Sequence, residues 1–131
     1  MPGESIKTVA VDASFILAYL LPDEKTPDEK LFAQHNDGEI QFISTYLLPF
    51  EVLNSLKCAF KQKRISKFLA NGLSRKFFEL EIELLPVEFA EVFKLAEKKN
   101  LTVYDAGYLW LAKNKKIKLQ TLDKQLKKIA S

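Results

Sequence analysis

The chain has 131 residues, 47% apolar and 28% charged, with a formal net charge of +3. That length suits one domain, residues 1–131, and the balance is globular rather than disordered. One cysteine, Cys58, and one histidine, His35, exclude an internal disulfide, a Cys/His zinc site and a Cys-Cys redox pair.

IKTVAV (6–11) is a β-branched run that stops at Asp12, as a buried strand would. SFILAYLL (14–21) predicts a helix of about two turns, ended by Pro22-Asp23. PDEKLFAQHN (27–36) reads as a helix opening at Pro27, with Asp37-Gly38 as a turn and His35 solvated near the helix end. IQFIS (40–44) is the second strand. Leu47 to Lys63 is helical, Pro49 being tolerable in the first turn, with Cys58 as a small apolar residue on it. A helix capped by Ser66 runs to Leu80, Ile82–Leu85 is a third strand, and Pro86 opens the helix VEFAEVFKLAEKK, which ends at Asn100. Residues 103–113 form another helix, IKLQT (117–121) a fourth strand, and DKQLKKIA a last helix. Strands separated by helices, with no hairpin turn, predict an α/β fold: a parallel sheet of short strands with helices on both faces.

No apolar run approaches the ~18 residues of a membrane span. The opening MPGESIKTVAVDA lacks the basic start and long apolar core of a secretory signal. A lone cysteine agrees with a reducing compartment, so a cytoplasmic protein is expected.

Asp105, in LTVYDAGYLWLA, is the awkward residue. On a helix it shares a face with Tyr108, Leu109 and Ala112, an apolar face turned inward. An unpartnered carboxylate is costly there. Three other acids also stand where a strand gives way to a helix or in a helix's first turn: Asp12, Glu51 and Asp123. Each has a bland explanation. Asp12 and Asp123 suit N-caps, Thr102 with Asp105 suits a capping box, and Glu51 complements a helix dipole. Together they suggest more, because ligands of open parallel sheets bind beyond the carboxyl ends of the strands. Four carboxylates converging without a basic partner repel, and the oxygen-only set points to Mg²⁺ or Mn²⁺ rather than zinc.

VDASFILAYLLPDE, FISTYLLPFEVLNSL, LTVYDAGYLWLA and LQTLDKQL resemble, in order from residue 6 to about 128, the successive motifs of PIN-domain proteins, particularly the VapC-type toxins of toxin–antitoxin pairs. The resemblance implies a metal-dependent ribonuclease fold with Asp12, Glu51, Asp105 and Asp123 as the acidic site. Ser14, Asn54 and Thr121 match accompanying polar positions that support the acids, although Ser14 and Thr121 equally suit helix-start hydroxyls. PIN domains often carry a further strand after the helix that follows Thr-x-Asp. Here the sequence ends at Ile129-Ala130-Ser131, which favours four strands over five.

The reaction expected is hydrolysis of RNA phosphodiester bonds by a metal-activated water, with no side chain as nucleophile. Asp12, Asp105 and Asp123 are first choices for direct ligands, and Glu51 is a ligand or an orienter of water. Lys57, Lys61 and Arg64 are candidates to hold the substrate backbone. A second basic cluster runs from Lys113 to Lys128. Any one lysine of either cluster is more simply on a solvated helix face, but two clusters beside a carboxylate site suggest a phosphate backbone as partner. The apolar surplus around residues 47–60, with Phe68, Phe77 and Phe78, suits a homodimer face or an antitoxin groove. A non-catalytic RNA- or protein-binding PIN module and an RNA-processing nuclease without an antitoxin stay open. A phospho-acceptor receiver domain fits less well, because the second strand ends in Ile43-Ser44-Thr45 and not in an acceptor Asp.

Overall fold

The computed structural model describes residues 6–130, so the opening residues 1–5 and Ser131 lie outside the described residues. The elements are β1 (Lys7–Val11), α1 (Ala13–Leu20), α2 (Glu29–Asn36), β2 (Ile40–Thr45), α3 (Leu48–Lys61), α4 (Lys67–Glu79), β3 (Glu83–Leu85), α5 (Phe89–Lys99), α6 (Val103–Lys115), β4 (Leu119–Gln120) and α7 (Lys124–Ala130). The four strands form one parallel sheet in the order β3-β2-β1-β4, as the strand–helix alternation predicts. Among the described residues there is no fifth strand, and no helix is long and apolar enough to cross a membrane.

β1 and β2 are the central pair, which explains why their sequences are nearly unbroken apolar runs. Val9, Ala10, Val11, Phe42 and Ile43 are all buried. Phe32 of α2 closes one face of the sheet, stacking on Phe15 and Tyr19 and meeting Phe42 edge-on. On α3, Leu48, Val52, Leu56 and Ala59 recur at helical spacing and are buried. α6 packs against both β1 and β2 through Tyr108, Leu109, Leu111 and Ala112.

Several boundaries differ from the expectation, each for a local reason. α2 opens at Glu29 rather than Pro27, because Asp28 caps it by accepting from Leu31 N. α5 opens at Phe89 rather than after Pro86, with Glu88 accepting from Ala90 N. α6 runs on to Lys115 and stops at Lys116, whose φ of 57° is left-handed. β4 keeps only two residues of IKLQT, since it pairs with the last two of β1 alone.

His35 corrects the sequence reading outright. It is buried, not solvated. Its ring stacks on Phe42 at 4.4 Å, Nδ1 accepts from Phe42 N at 3.1 Å, and Nε2 donates to Leu80 O. That pattern requires the neutral tautomer with the proton on Nε2. Cys58 lies on α3, as expected, and is exposed there.

Candidate active site

The register of the sheet brings the first and last motifs together. β1 and β4 pair as Ala10↔Leu119 and Val11↔Gln120, so the residues that follow, Asp12 and Thr121, leave the sheet side by side. Thr121 Oγ1 donates to Asp12 Oδ2. Ser14 Oγ donates to Asp12 Oδ1 at 2.7 Å, and Phe15 N donates to the same oxygen at 3.0 Å. Ser14 Oγ in turn accepts from Leu122 N at 2.9 Å, while Thr121 Oγ1 accepts from Asp123 N at 3.0 Å. Asp12, buried in this net, therefore uses three of roughly four acceptor positions on its carboxylate.

Asp12 does cap α1, and Asp123 caps α7 by accepting from Leu126 N at 2.8 Å. Capping therefore does not exclude either residue from the candidate site. Thr102 is likewise the N-cap of α6, but its hydroxyl accepts from the backbone N–H of Asp105 at 3.0 Å. The Asp105 side chain is left half-buried beside the other acids. Glu51, in the first turn of α3, receives a 2.7 Å hydrogen bond on Oε1 from the Tyr108 hydroxyl.

The electrostatics record the convergence. Burial raises the pKa of Asp105, and repulsion from Asp123, Asp12 and Glu51 raises it further, against a small opposing effect of Thr102. Burial also raises that of Asp12, resisted by the hydrogen bonds from Thr121, Ser14 and Phe15 N and helped by Asp123. No cation enters either balance. The ion pairs of Arg64 go to Asp23, at 2.8 Å, and Glu24, at 3.7 Å, and involve none of the four acids. Tyr108 is pushed up by burial first and then by Glu51, so its phenol keeps its proton.

As placed, no three His, Cys, Asp or Glu side chains among the described residues could hold one ion between them. The donor chemistry fits a hard divalent cation, being all carboxylate with no facing base, but the spacing is open.

Of the supporting residues, Ser14 and Thr121 contact the acids directly. Asn54 is exposed on α3 and has no hydrogen bond to them among the described residues. Lys57 and Lys61 are exposed on α3, whereas Arg64 is held in its carboxylate pair. Tyr108 is the site residue that spacing arguments pass over. Its apolar face assigns it to the core, where its ring does lie, and the one available signal is a hydroxyl on a buried face that must find a partner.

A PIN-domain family model matches residues 9–131. The chain is 33% identical over 123 residues to Ribonuclease VapC3 of Pyrobaculum aerophilum, covering 90% of this chain and 91% of that protein. Its fold is similar to the crystal structure of PAE2754 from Pyrobaculum aerophilum, with a TM-score of 0.73 and 22% identity over 96% of this chain and 81% of that one. The last is a likeness of fold alone. A family model over nearly the whole described length, with a relative at one-third identity, makes this chain a member of the PIN-domain family.

Proposed function

We propose that the protein is a Mg²⁺- or Mn²⁺-dependent endoribonuclease, acting as the toxin component of a toxin–antitoxin pair in the cytoplasm. The observation that supports it most is the repulsion of Asp105 by Asp12, Glu51 and Asp123 with no cation among them. The likeness to a protein named a ribonuclease adds the reaction class. Asp12, Asp105 and Asp123 hold the ion in this reading. Bound there, a divalent cation supplies Lewis acidity and lowers the pKa of a coordinated water.

The rest of the work falls to the chain. Thr121 and Ser14 fix the rotamer of Asp12, so the most buried acid is rigid before the ion arrives. Tyr108 occupies one oxygen of Glu51 and leaves Oε2 to orient the attacking water or to complete the metal shell. Lys57 and Lys61, exposed on the helix that carries Glu51, hold the phosphate backbone. Exposed Phe60, Phe68 and Phe78 on α3 and α4 offer apolar surface to an antitoxin or a second copy of the chain.

The test is cleavage of mixed RNAs in Mg²⁺, in Mn²⁺ and in EDTA, by the wild type and by Asp12→Asn. Metal-dependent cutting that Asp12→Asn abolishes is expected; cutting in EDTA, or undiminished cutting by the variant, overturns the reading. A neighbouring gene for a small DNA-binding protein supports the toxin assignment, and its absence favours an RNA-processing nuclease.

A further inference from the structure

Apart from the acids and Tyr108, His35 is the one buried titratable side chain among the described residues, and it is the only histidine of the chain. It stands in the last turn of α2, and its ring joins two other elements. β3 begins at Glu83, opposite Ile43, so Phe42 lies just beyond the β2–β3 ladder. There the imidazole takes the place of a strand. Nδ1 accepts from Phe42 N at 3.1 Å, and Nε2 donates to Leu80 O. Gln41 makes a parallel bridge, its Nε2 donating to Phe42 O at 3.0 Å and to Glu81 O at 3.2 Å. The corner at Leu80 and Glu81, which joins α4 to β3, is therefore tied to β2 by two side chains. Glu81 holds a left-handed φ of 51° there, a conformation that persists in a non-glycine residue only when its surroundings enforce it.

Of the two bridges, only the imidazole changes charge, within about pH 5–8 for a histidine. Protonation adds an N–H at Nδ1, and two donors then face each other where the Phe42 bond was. Leu80 O still accepts, and the helix dipole at the end of α2 attracts a cation weakly, but neither gives Phe42 N–H an acceptor. A buried charge also needs a partner, and no carboxylate supplies one. α2 carries Glu29 and Lys30 in its first turn, and Asp37 and Glu39 lie on the turn to β2. The last two turns of α4 carry Arg75, Lys76 and Glu79, Glu81 follows, and β2 itself has no charged residue. All these side chains are exposed, and none forms an ion pair with the ring among the described residues.

We propose that His35 is a pH-sensitive latch: its neutral ring fastens the α4–β3 corner to β2, and its protonation releases that corner. Release frees the edge strand β3, which pairs with β2 alone, and the end of α4 that carries exposed Phe78. The open corner takes up a proton that the latched one excludes. Opening therefore increases as pH falls, by up to about tenfold per pH unit. The raised pKa values of Asp12 and Asp105 act in the opposite sense, favouring the folded protein as pH falls, and do not produce such a loss. The latch is independent of the ribonuclease reading.

Amide hydrogen exchange of the full chain at about pH 7 and about pH 5, corrected for the intrinsic effect of pH on exchange, tests the latch. In the wild type, protection of Phe42 N–H and of the β3 amides should fall about tenfold or more, while β1 and α6 stay within about twofold. His35→Gln offers an N–H to Leu80 O and an oxygen to Phe42 N without titrating, and should keep the protection at both pH values. His35→Phe keeps a ring to stack on Phe42 but bonds neither group, and should lose it at both. Wild-type protection of Phe42 and β3 that is unchanged at the lower pH overturns the latch, whether or not either variant folds. An equal fall in His35→Gln also overturns it, as does a fall shared evenly with β1 and α6, which is global unfolding.

Discussion

Tyr108 on α6 and Glu51 on α3 are 57 residues apart, yet the phenol of one donates to the carboxylate of the other at 2.7 Å. The bond ties the two helices that carry the non-strand acids. Because Tyr108 stays protonated, it acts only as a donor and constrains Glu51 without competing for a cation.

Tyr108→Phe keeps the buried ring and removes this bond. Glu51 is only half-buried and can take water instead, so a stability loss of about 1 kcal/mol is expected. Mn²⁺ affinity, followed by calorimetric titration, should fall roughly tenfold or more, as for other groups that orient metal ligands. The loss should vanish when Tyr108→Phe is made in a Glu51→Gln background. Equal Mn²⁺ affinities of wild type and Tyr108→Phe would show that the phenol is a core residue only.

Thr121→Val removes the hydroxyl that donates to buried Asp12 and accepts from Asp123 N. Leaving a buried carboxylate short of one donor costs about 1–3 kcal/mol at neutral pH. The bond favours the charged form, so the loss should shrink as pH falls through the raised pKa of Asp12. Thr121→Ser should recover most of it. Urea melts of the three proteins at neutral and acid pH measure the difference. A pH-independent loss would mean that packing of the methyl group is what matters.

His35→Leu orphans Phe42 N–H and the Leu80 carbonyl at once, and should destabilise by about 2–4 kcal/mol while leaving Mn²⁺ affinity intact. A loss within about 0.5 kcal/mol, the range of surface substitutions, would restore the solvated reading.

RNA affinity should fall steeply with salt, since phosphate contacts from residues such as Lys57 and Lys61 release counterions. Each lysine changed to alanine should lower the slope of log affinity against log salt by about one. Arg64→Ala should change it less, because Arg64 is committed to Asp23. A flat salt response would remove phosphate contacts from the account.

What was legible in the sequence follows from periodicity and from where acids fall. The runs IKTVAV and IQFIS marked two of the strands, and Asp12 and Asp123 at strand ends marked the edge where the candidate site lies. His35 was illegible because its partners, Phe42 N and Leu80 O, are backbone groups, one of them 45 residues away. The role of Tyr108 was hidden for a similar reason, as its partner lies on another helix. Thr121 was suggested by its motif, but its contact with Asp12 becomes derivable only once β4 is known to pair with β1. The separation of the acids is not written in the sequence at all.

Asp105 carries the central claim, that an inward carboxylate is tolerated because a divalent cation completes its surroundings. Its folded pKa is raised, so the native state binds more protons than the unfolded chain between the ordinary and the raised value. Stability of the metal-free protein therefore falls as pH rises through that window and stays lower above it. Asp105→Asn removes the charge, and the Thr102 cap survives because it uses the backbone N–H. The decisive measurement is a thermal melt of wild type and Asp105→Asn at neutral pH, each in EDTA and in Mg²⁺. The account predicts that the variant melts higher in EDTA. It also predicts that the wild type gains about 2.7 kcal/mol at a hundredfold excess of Mg²⁺ over Kd, and the variant much less. A wild type indifferent to Mg²⁺, beside a variant that melts no higher in EDTA, would contradict it.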